Sequence, residues 1–257
     1  MIQTRNINYS IGRKSILTDI SFTASPGELM AIIGPNGAGK TTLMKLLCGD
    51  LPLQKGHITL HGQNIQMYRS LEMARFRAVL AQSNPVSINF TVYEMVLMGR
   101  YPHFNGKPTA ADIRIVNEVL EEMGMQDLIA RSYYSLSGGE QQRVHLARVL
   151  AQIHNNAAGI LLLDEPINGL DLQYQQIILS KARQLADTGY TVVCILHDIN
   201  FASKYADNIL ILKKGACMAL GHPAKIISED NIFNTYNTRV RLIHDQSIGY
   251  PFIVPLS

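Results

Sequence analysis

The residues Gly34-Pro35-Asn36-Gly37-Ala38-Gly39-Lys40-Thr41 match G-x-x-x-x-G-K-[ST] at every position, and Thr42 follows. Glycines in this pattern let the backbone curl so that successive N–H groups point inward at phosphate oxygens. The ammonium of Lys40 then reaches the β- and γ-phosphates, and the Thr41 hydroxyl can ligate Mg²⁺. The pattern demands a strand before it and a helix after it. Glu28 to Ile33 is a short apolar strand, and Leu43, Leu46 and Leu47 share one face of a helix that starts at Lys40 and stops at Gly49. The chemistry expected is that of a nucleoside-triphosphate site.

A second group is the acid pair Asp164-Glu165, which ends the buried-looking run Ile160-Leu161-Leu162-Leu163 and precedes Pro166. The carboxyl ends of parallel strands open onto the ligand crevice of such sheets. Asp164 is assigned to Mg²⁺ and Glu165 to general base, a role worth about 10²–10⁴-fold in rate. The pair is expected to divide these tasks because neighbouring side chains of an extended segment point to opposite sides.

The third group, Leu136-Ser137-Gly138-Gly139-Glu140-Gln141-Gln142-Arg143, reads as a helix start with Ser137 as N-cap and Glu140 as its capping-box partner, while Val144, Ala147 and Ala151 line one face. Two glycines in a first turn cost about 1 kcal/mol each unless a close backbone approach needs them. A capped, glycine-exposed helix tip is a second anion site, one more than a single triphosphate requires.

The elements around these groups alternate. Ile2 to Phe22 reads as two strands about a turn at Gly12-Arg13-Lys14; His57–Leu60, Ala78–Ala81, Ile160–Leu163, Val192–Leu196 and Ile209–Leu212 are further strands. From about Thr91 to Gln152 the pattern is helical, with an expected stripe of Ile113, Val116, Leu120 and Met123 behind a Thr109/Asp112 cap. The expected class is α/β: a mainly parallel core sheet, an N-terminal antiparallel region and an inserted helical subdomain. The lobes are drawn at about 1–86 with 155–225, about 87–154, and a tail at about 226–257 in which Ile253-Val254-Pro255 forms an edge strand.

Composition excludes several alternatives. Apolar residues make up 47% and charged residues 17%, as in a globular chain. No run approaches the ~18 apolar residues of a membrane span, and the first six residues lead into no apolar stretch, so no secretion signal is expected. The net charge of +3 includes no dense Lys/Arg block, so no nucleic-acid partner is expected, and Cys48, Cys194 and Cys217 are too few and scattered for a disulfide framework.

The three groups, in their order and spacing, resemble the ATP-binding cassette family: LSGGE is its signature, GPNGAGKTT its phosphate loop and ILLLDEP its acidic strand. The resemblance implies a P-loop NTPase (RecA-like) core and a head-to-tail homodimer. Each ATP lies between the Lys40 loop of one copy and Ser137, Gly138 and Gly139 of the other. It implies further roles by position: Gln82 senses Mg²⁺ and the attacking water, Asp171 of Gly169-Leu170-Asp171 touches the opposite subunit, His197 contacts the γ-phosphate, and Tyr9 stacks on adenine. Ile167 departs from the threonine usual in the family after the proline.

Thr91 to His103 is similar to the segment with which importers of iron chelates, haem and cobalamin receive a helix of their permease, and haemin importer ATPases match best within that branch. The implied partners are integral-membrane permease subunits and, indirectly, a periplasmic or extracellular haem-binding protein, with the chain peripheral on the cytoplasmic face of the membrane. Ferric-siderophore and cobalamin importers, and a soluble iron–sulfur assembly ATPase, are the alternatives. A GTP switch is excluded by the lack of an Asn-Lys-x-Asp stretch. His103 reads as a packing or hydrogen-bonding residue rather than a haem ligand, and Met95, Met98, Met123 and Met125 as adaptable packing.

Overall fold

The computed structural model describes residues 1–81, 88–156, 158–243, 245 and 249–256. In chain order the strands and helices are β1 (Ile2–Ile11), β2 (Lys14–Ala24), β3 (Leu29–Ile33), α1 (Lys40–Cys48), β4 (Lys55–Leu60), β5 (Gln63–Asn64), α2 (Ser70–Ala74), β6 (Arg77–Leu80), α3 (Val92–Leu97), α4 (Ala110–Glu122) and α5 (Gly138–Ile153). They continue with β7 (Ile160–Asp164), α6 (Leu172–Asp187), β8 (Thr191–Ile195), α7 (Ile199–Tyr205), β9 (Asn208–Lys213), β10 (Ala216–Gly221), α8 (Pro223–Ile226), α9 (Glu229–Tyr236), β11 (Val240–Ile243) and β12 (Phe252–Pro255).

Six strands form the central sheet in the order β10-β9-β3-β8-β7-β6, parallel except for β10 on β9. The unbroken apolar runs of β3, β7 and β8 are buried at every residue, as a sheet covered on both faces requires. Alternation sorts them between two cores: Leu29, Ala31 and Ile33 pack toward the helical segment, while Met30 and Ile32 pack toward α1 and the β1–β2 hairpin. Each fully buried aliphatic side chain of this kind stabilises the fold by about 1.5–3 kcal/mol. A second, antiparallel sheet runs β2-β1-β4-β5.

Between β6 and β7 three helices start with capping boxes, Thr91 with Glu94, Thr109 with Asp112 and Ser137 with Glu140. The α4 stripe differs from expectation at one end. Val116, Leu120 and Met123 are buried, but Ile113 is 41% exposed. Asp112 takes the inward position because it serves both the cap and a buried ion pair at 3.0 Å with Arg100, and a helix rotates the next residue about 100° away.

The tail strand β12 joins no edge of the large sheets; it pairs with β11 in a separate two-stranded sheet. Among the described residues no helix is long and apolar enough to cross a membrane, and the three cysteines are unpaired.

Candidate active site

The loop from Gly34 to Gly39 closes between β3 and α1 because two glycines occupy places closed to other residues. Gly34 has φ 152°, and a Cβ there would sit 2.2 Å from the carbonyl oxygen of Leu212; Gly39 has φ 101°, with a Leu17 methyl at 2.7 Å. Gly39 also stands at the N-cap of α1, where no side chain caps the helix and its first turn holds no acid. The first amides of α1 are thus left for an external anion, with the positive end of the helix dipole behind them. α5 contrasts with it, since Ser137 Oγ accepts from Glu140 N–H at 3.3 Å.

This loop forms one wall of a 580 Å³ cleft whose lining includes Asn36 to Thr42 and Glu165. Lys40 is 5% exposed, and its Nζ donates to the carbonyls of Gly34 (2.8 Å) and Pro35 (3.2 Å). Burial lowers its pKa, against the opposing pull of Glu165 and Asp164. Three lysines, Lys14, Lys40 and Lys214, face one carboxylate across the cleft, a balance suited to a polyphosphate.

Asp164 closes β7 in extended backbone, but Glu165 does not continue it. Its φ of 52° lies in the left-handed region, which a residue before proline avoids. The reversal, rather than strand alternation, separates the two carboxylates. Glu165 Oε1 lies 2.6 Å from His197 Nε2, and Asn168 Nδ2 donates to its other oxygen at 3.4 Å. The following turn is tied to α5, where Gln142 Nε2 donates to the Pro166 carbonyl at 3.1 Å. Ile167, where the family pattern would have threonine, is 7% exposed within the apolar core.

The Asp164 carboxyl is buried, and burial first, then Glu165, pushes its pKa up to about 6 against Lys45, Lys40 and His197. Its Oδ1 has no hydrogen-bond partner among the described residues. A buried carboxylate oxygen without a partner, together with the Thr41 hydroxyl in the first turn of α1, fits a Mg²⁺ ion. That cation binds through one or two protein oxygens plus substrate phosphates rather than a full protein cage, and among the described residues no group of three His, Cys, Asp or Glu converges.

Other expected site residues are distributed unevenly. Ser137 and Gly138 are exposed at the tip of α5 and do not line the cleft. A Cβ added at Gly139 would lie 3.7 Å from the ring of Tyr174, over which the Arg143 guanidinium sits at 4.8 Å. Asp171 is exposed and caps α6 by accepting from Tyr174 N–H at 3.0 Å. Gln82 lies outside the described residues. Tyr9 is 8% exposed, opposite Leu17 in the hairpin and within the apolar core, and it does not line the cleft; Ile16 does.

Sequence reasoning missed Lys14, Ser15 and Ile16 from β2 and Lys214 from the β9–β10 turn. The only signal for them was a basic residue in each of two turns. His103 meets the Gln152 carbonyl at 2.7 Å, in keeping with a hydrogen-bonding role.

Known proteins with this arrangement are numerous. The family described as ABC transporter matches residues 17–168. The hemin import ATP-binding protein HmuV of Shewanella denitrificans is 40% identical over 256 residues, covering 99% of this chain and all of that protein. Its namesake in Deinococcus radiodurans is 39% identical, covering 100% of this chain and 97% of that one. Among solved structures, an ABC transporter described as of metal-chelate type, in an inward-facing conformation, superposes with a TM-score of 0.84 at 26% identity over 100% of this chain and 97% of that one. A dimeric bacterial ABC transporter cassette gives 0.75 at 26% identity over 86% and 98%. With the phosphate cradle, the acid pair and the signature helix all in place on this fold, the chain belongs to the ABC transporter family as one of its ATP-binding subunits.

Proposed function

We propose that the chain hydrolyses ATP in a head-to-tail homodimer and couples that cycle to uptake of haem through a separate membrane permease, on whose cytoplasmic side it sits. The observation that carries the ATPase reading is the single cleft in which Lys40 and Glu165 face each other while Ser137 stands exposed outside it. A second copy would bring its Ser137, Gly138 and Gly139 to the open side of that cleft, with Asp171 at the junction.

In this reading the uncapped end of α1, Asn36 to Thr42 and Lys40 bind the phosphates and orient the γ-phosphorus. Thr41 and Asp164, with Gln82, would hold Mg²⁺, which when bound neutralises charge on the β- and γ-phosphate oxygens. Glu165 accepts the proton of a water as its oxygen bonds to the γ-phosphorus, and the bond to the bridging oxygen of ADP breaks. His197 holds the Glu165 carboxylate through Nε2, and the family resemblance gives it contact with the γ-phosphate as well.

Cargo rests on the haemin import proteins that are about two-fifths identical over their full length. The permease contact is supported by a 240 Å³ groove lined by Phe90, Leu97, Met98, Tyr101 and Phe104. A ferric-siderophore or cobalamin importer is the second reading, favoured by the likeness to the metal-chelate type transporter. The deciding experiment reconstitutes the chain with its co-purifying permease in proteoliposomes and compares ATP-driven uptake of haem, a ferric siderophore and cobalamin. Haem uptake alone supports the proposal, and uptake of only another cargo rejects its cargo half.

A further inference from the structure

A polar cluster that the chemistry above does not use lies behind His197. The His197 side chain is 46% exposed, so packing holds it weakly and its aim depends on the backbone that carries it. That backbone runs straight into α7, where Asp198 accepts from the amides of Asn200 (2.7 Å) and Phe201 (3.1 Å). A seven-residue helix has little stability of its own and takes its position from what covers it.

One cover is the C-terminal hairpin. The Asn200 side chain accepts from the N–H of Ile253 at 2.7 Å and donates to the C=O of the same residue at 3.1 Å. An amide side chain thereby takes the place of a neighbouring strand for one residue of β12. One turn on, Ser203, 3% exposed, donates from Oγ to the Pro251 carbonyl at 2.7 Å. Ile253 is itself 5% exposed and belongs to the main core. The hairpin is anchored in turn, by pairing of Val240 with Pro255 through Ile243 with Phe252 and by the Leu242 N–H donating to Glu229 at 3.2 Å.

We propose that the hairpin of β11 and β12 braces α7, and that Asn200 is a positioning residue which, through α7 and its Asp198 cap, keeps His197 against Glu165. The inference rests on the reading of the cleft as an ATPase site. Removing the Asn200 amide leaves two backbone groups of Ile253 without partners and frees the start of α7 to shift. Misplacement of a contact by an ångström costs up to about 10²-fold in rate.

The test uses the full chain and compares it with Asn200→Ala, Asn200→Asp and Ser203→Ala. For Asn200→Ala the expected result is a kcat lowered about tenfold with the KM for ATP changed less than about twofold. Asn200→Asp, which keeps the acceptor for Ile253 N–H, falls less. The imidazole nitrogen resonances of His197, read by ¹⁵N NMR without nucleotide, shift in Asn200→Ala and Ser203→Ala. An unchanged kcat, or a lowered kcat with His197 resonances as in the unsubstituted chain, overturns the brace. If Asn200→Ala does not fold, the same two measurements on Ser203→Ala decide. Absence of turnover by the unsubstituted chain overturns the ATPase reading instead, and is seen before any variant is compared.

Discussion

Glu165 and His197 meet at 2.6 Å although they leave different strands, β7 and β8. Those strands pair in register with Asp164 opposite Ile195, so one carboxylate and one imidazole each emerge just past the last paired residues. The left-handed turn at Glu165 then swings its carboxylate sideways onto the neighbouring strand's histidine. Register and one unusual dihedral, rather than any local sequence pattern, make the contact.

Replacing Glu165 with Gln keeps the shape of that contact and removes the base. The variant is expected to bind ATP and accumulate as a dimer while phosphate release slows by at least about 100-fold. Gel filtration with ATP and a phosphate-release assay check it; rapid turnover would reject the role given to Glu165.

Lys40→Ala removes a nearly buried ammonium that two loop carbonyls hold ready. Charge-assisted hydrogen bonds of this kind contribute about 1.5–3 kcal/mol, so ATP affinity should drop roughly 10- to 100-fold. Calorimetry on the variant measures it, and unchanged affinity would contradict the cradle.

The Arg100–Asp112 pair should matter to stability rather than to chemistry. Its side chains are 8% and 3% exposed, and Arg100 also donates to the Ala151 carbonyl at 2.7 Å, linking α4 to the end of α5. Asp112→Asn leaves a buried guanidinium unpaired, at a cost of about 3–5 kcal/mol. Denaturant unfolding reads this directly, and a loss under about 1 kcal/mol would show that the pair is not a keystone of the helical segment.

Acid should weaken the fold through His145. Its Nε2 lies 2.7 Å from the Tyr133 hydroxyl, and burial, helped by Arg148, pulls its pKa from 6.5 down to about 4. Between those values the unfolded chain carries a proton that the folded chain does not, so this contribution is complete above pH 6.5, shrinks as pH falls and levels off near 4. At pH 5 the loss is about 2 kcal/mol. His61, His103 and His154 are shifted in the same direction. The informative measurement is therefore the difference in thermal melting between the unsubstituted chain and His145→Gln at pH 7 and pH 5. The variant should lose less on acidification, and parallel losses would refute the assignment.

What could be read from sequence was what neighbours in the chain decide. The loop around Lys40, the Ser137/Glu140 cap and the stop at Gly49 each depend on a few consecutive residues, and each formed as expected. Ile113 faces outward because Arg100, twelve residues away from Asp112, claims the inward position for the acid. Tyr9 is buried and Ile16 lines the cleft because the hairpin's bulged register, not its composition, selects the face. Lys14 and Lys214 could not be assigned for the same reason: two distant turns converge only after the sheets pack.

The strand order carries a consequence for synthesis. β3, which bears the phosphate loop, is flanked by β8 and β9, neither of which exists until residues 191–213 have been made. A ribosome-bound chain holding only the first 190 residues has both edges of this wholly apolar strand bare, the kind of surface that invites misassembly. Nucleotide-binding competence should therefore arrive late and abruptly on the ribosome, with no partially active intermediate along the way.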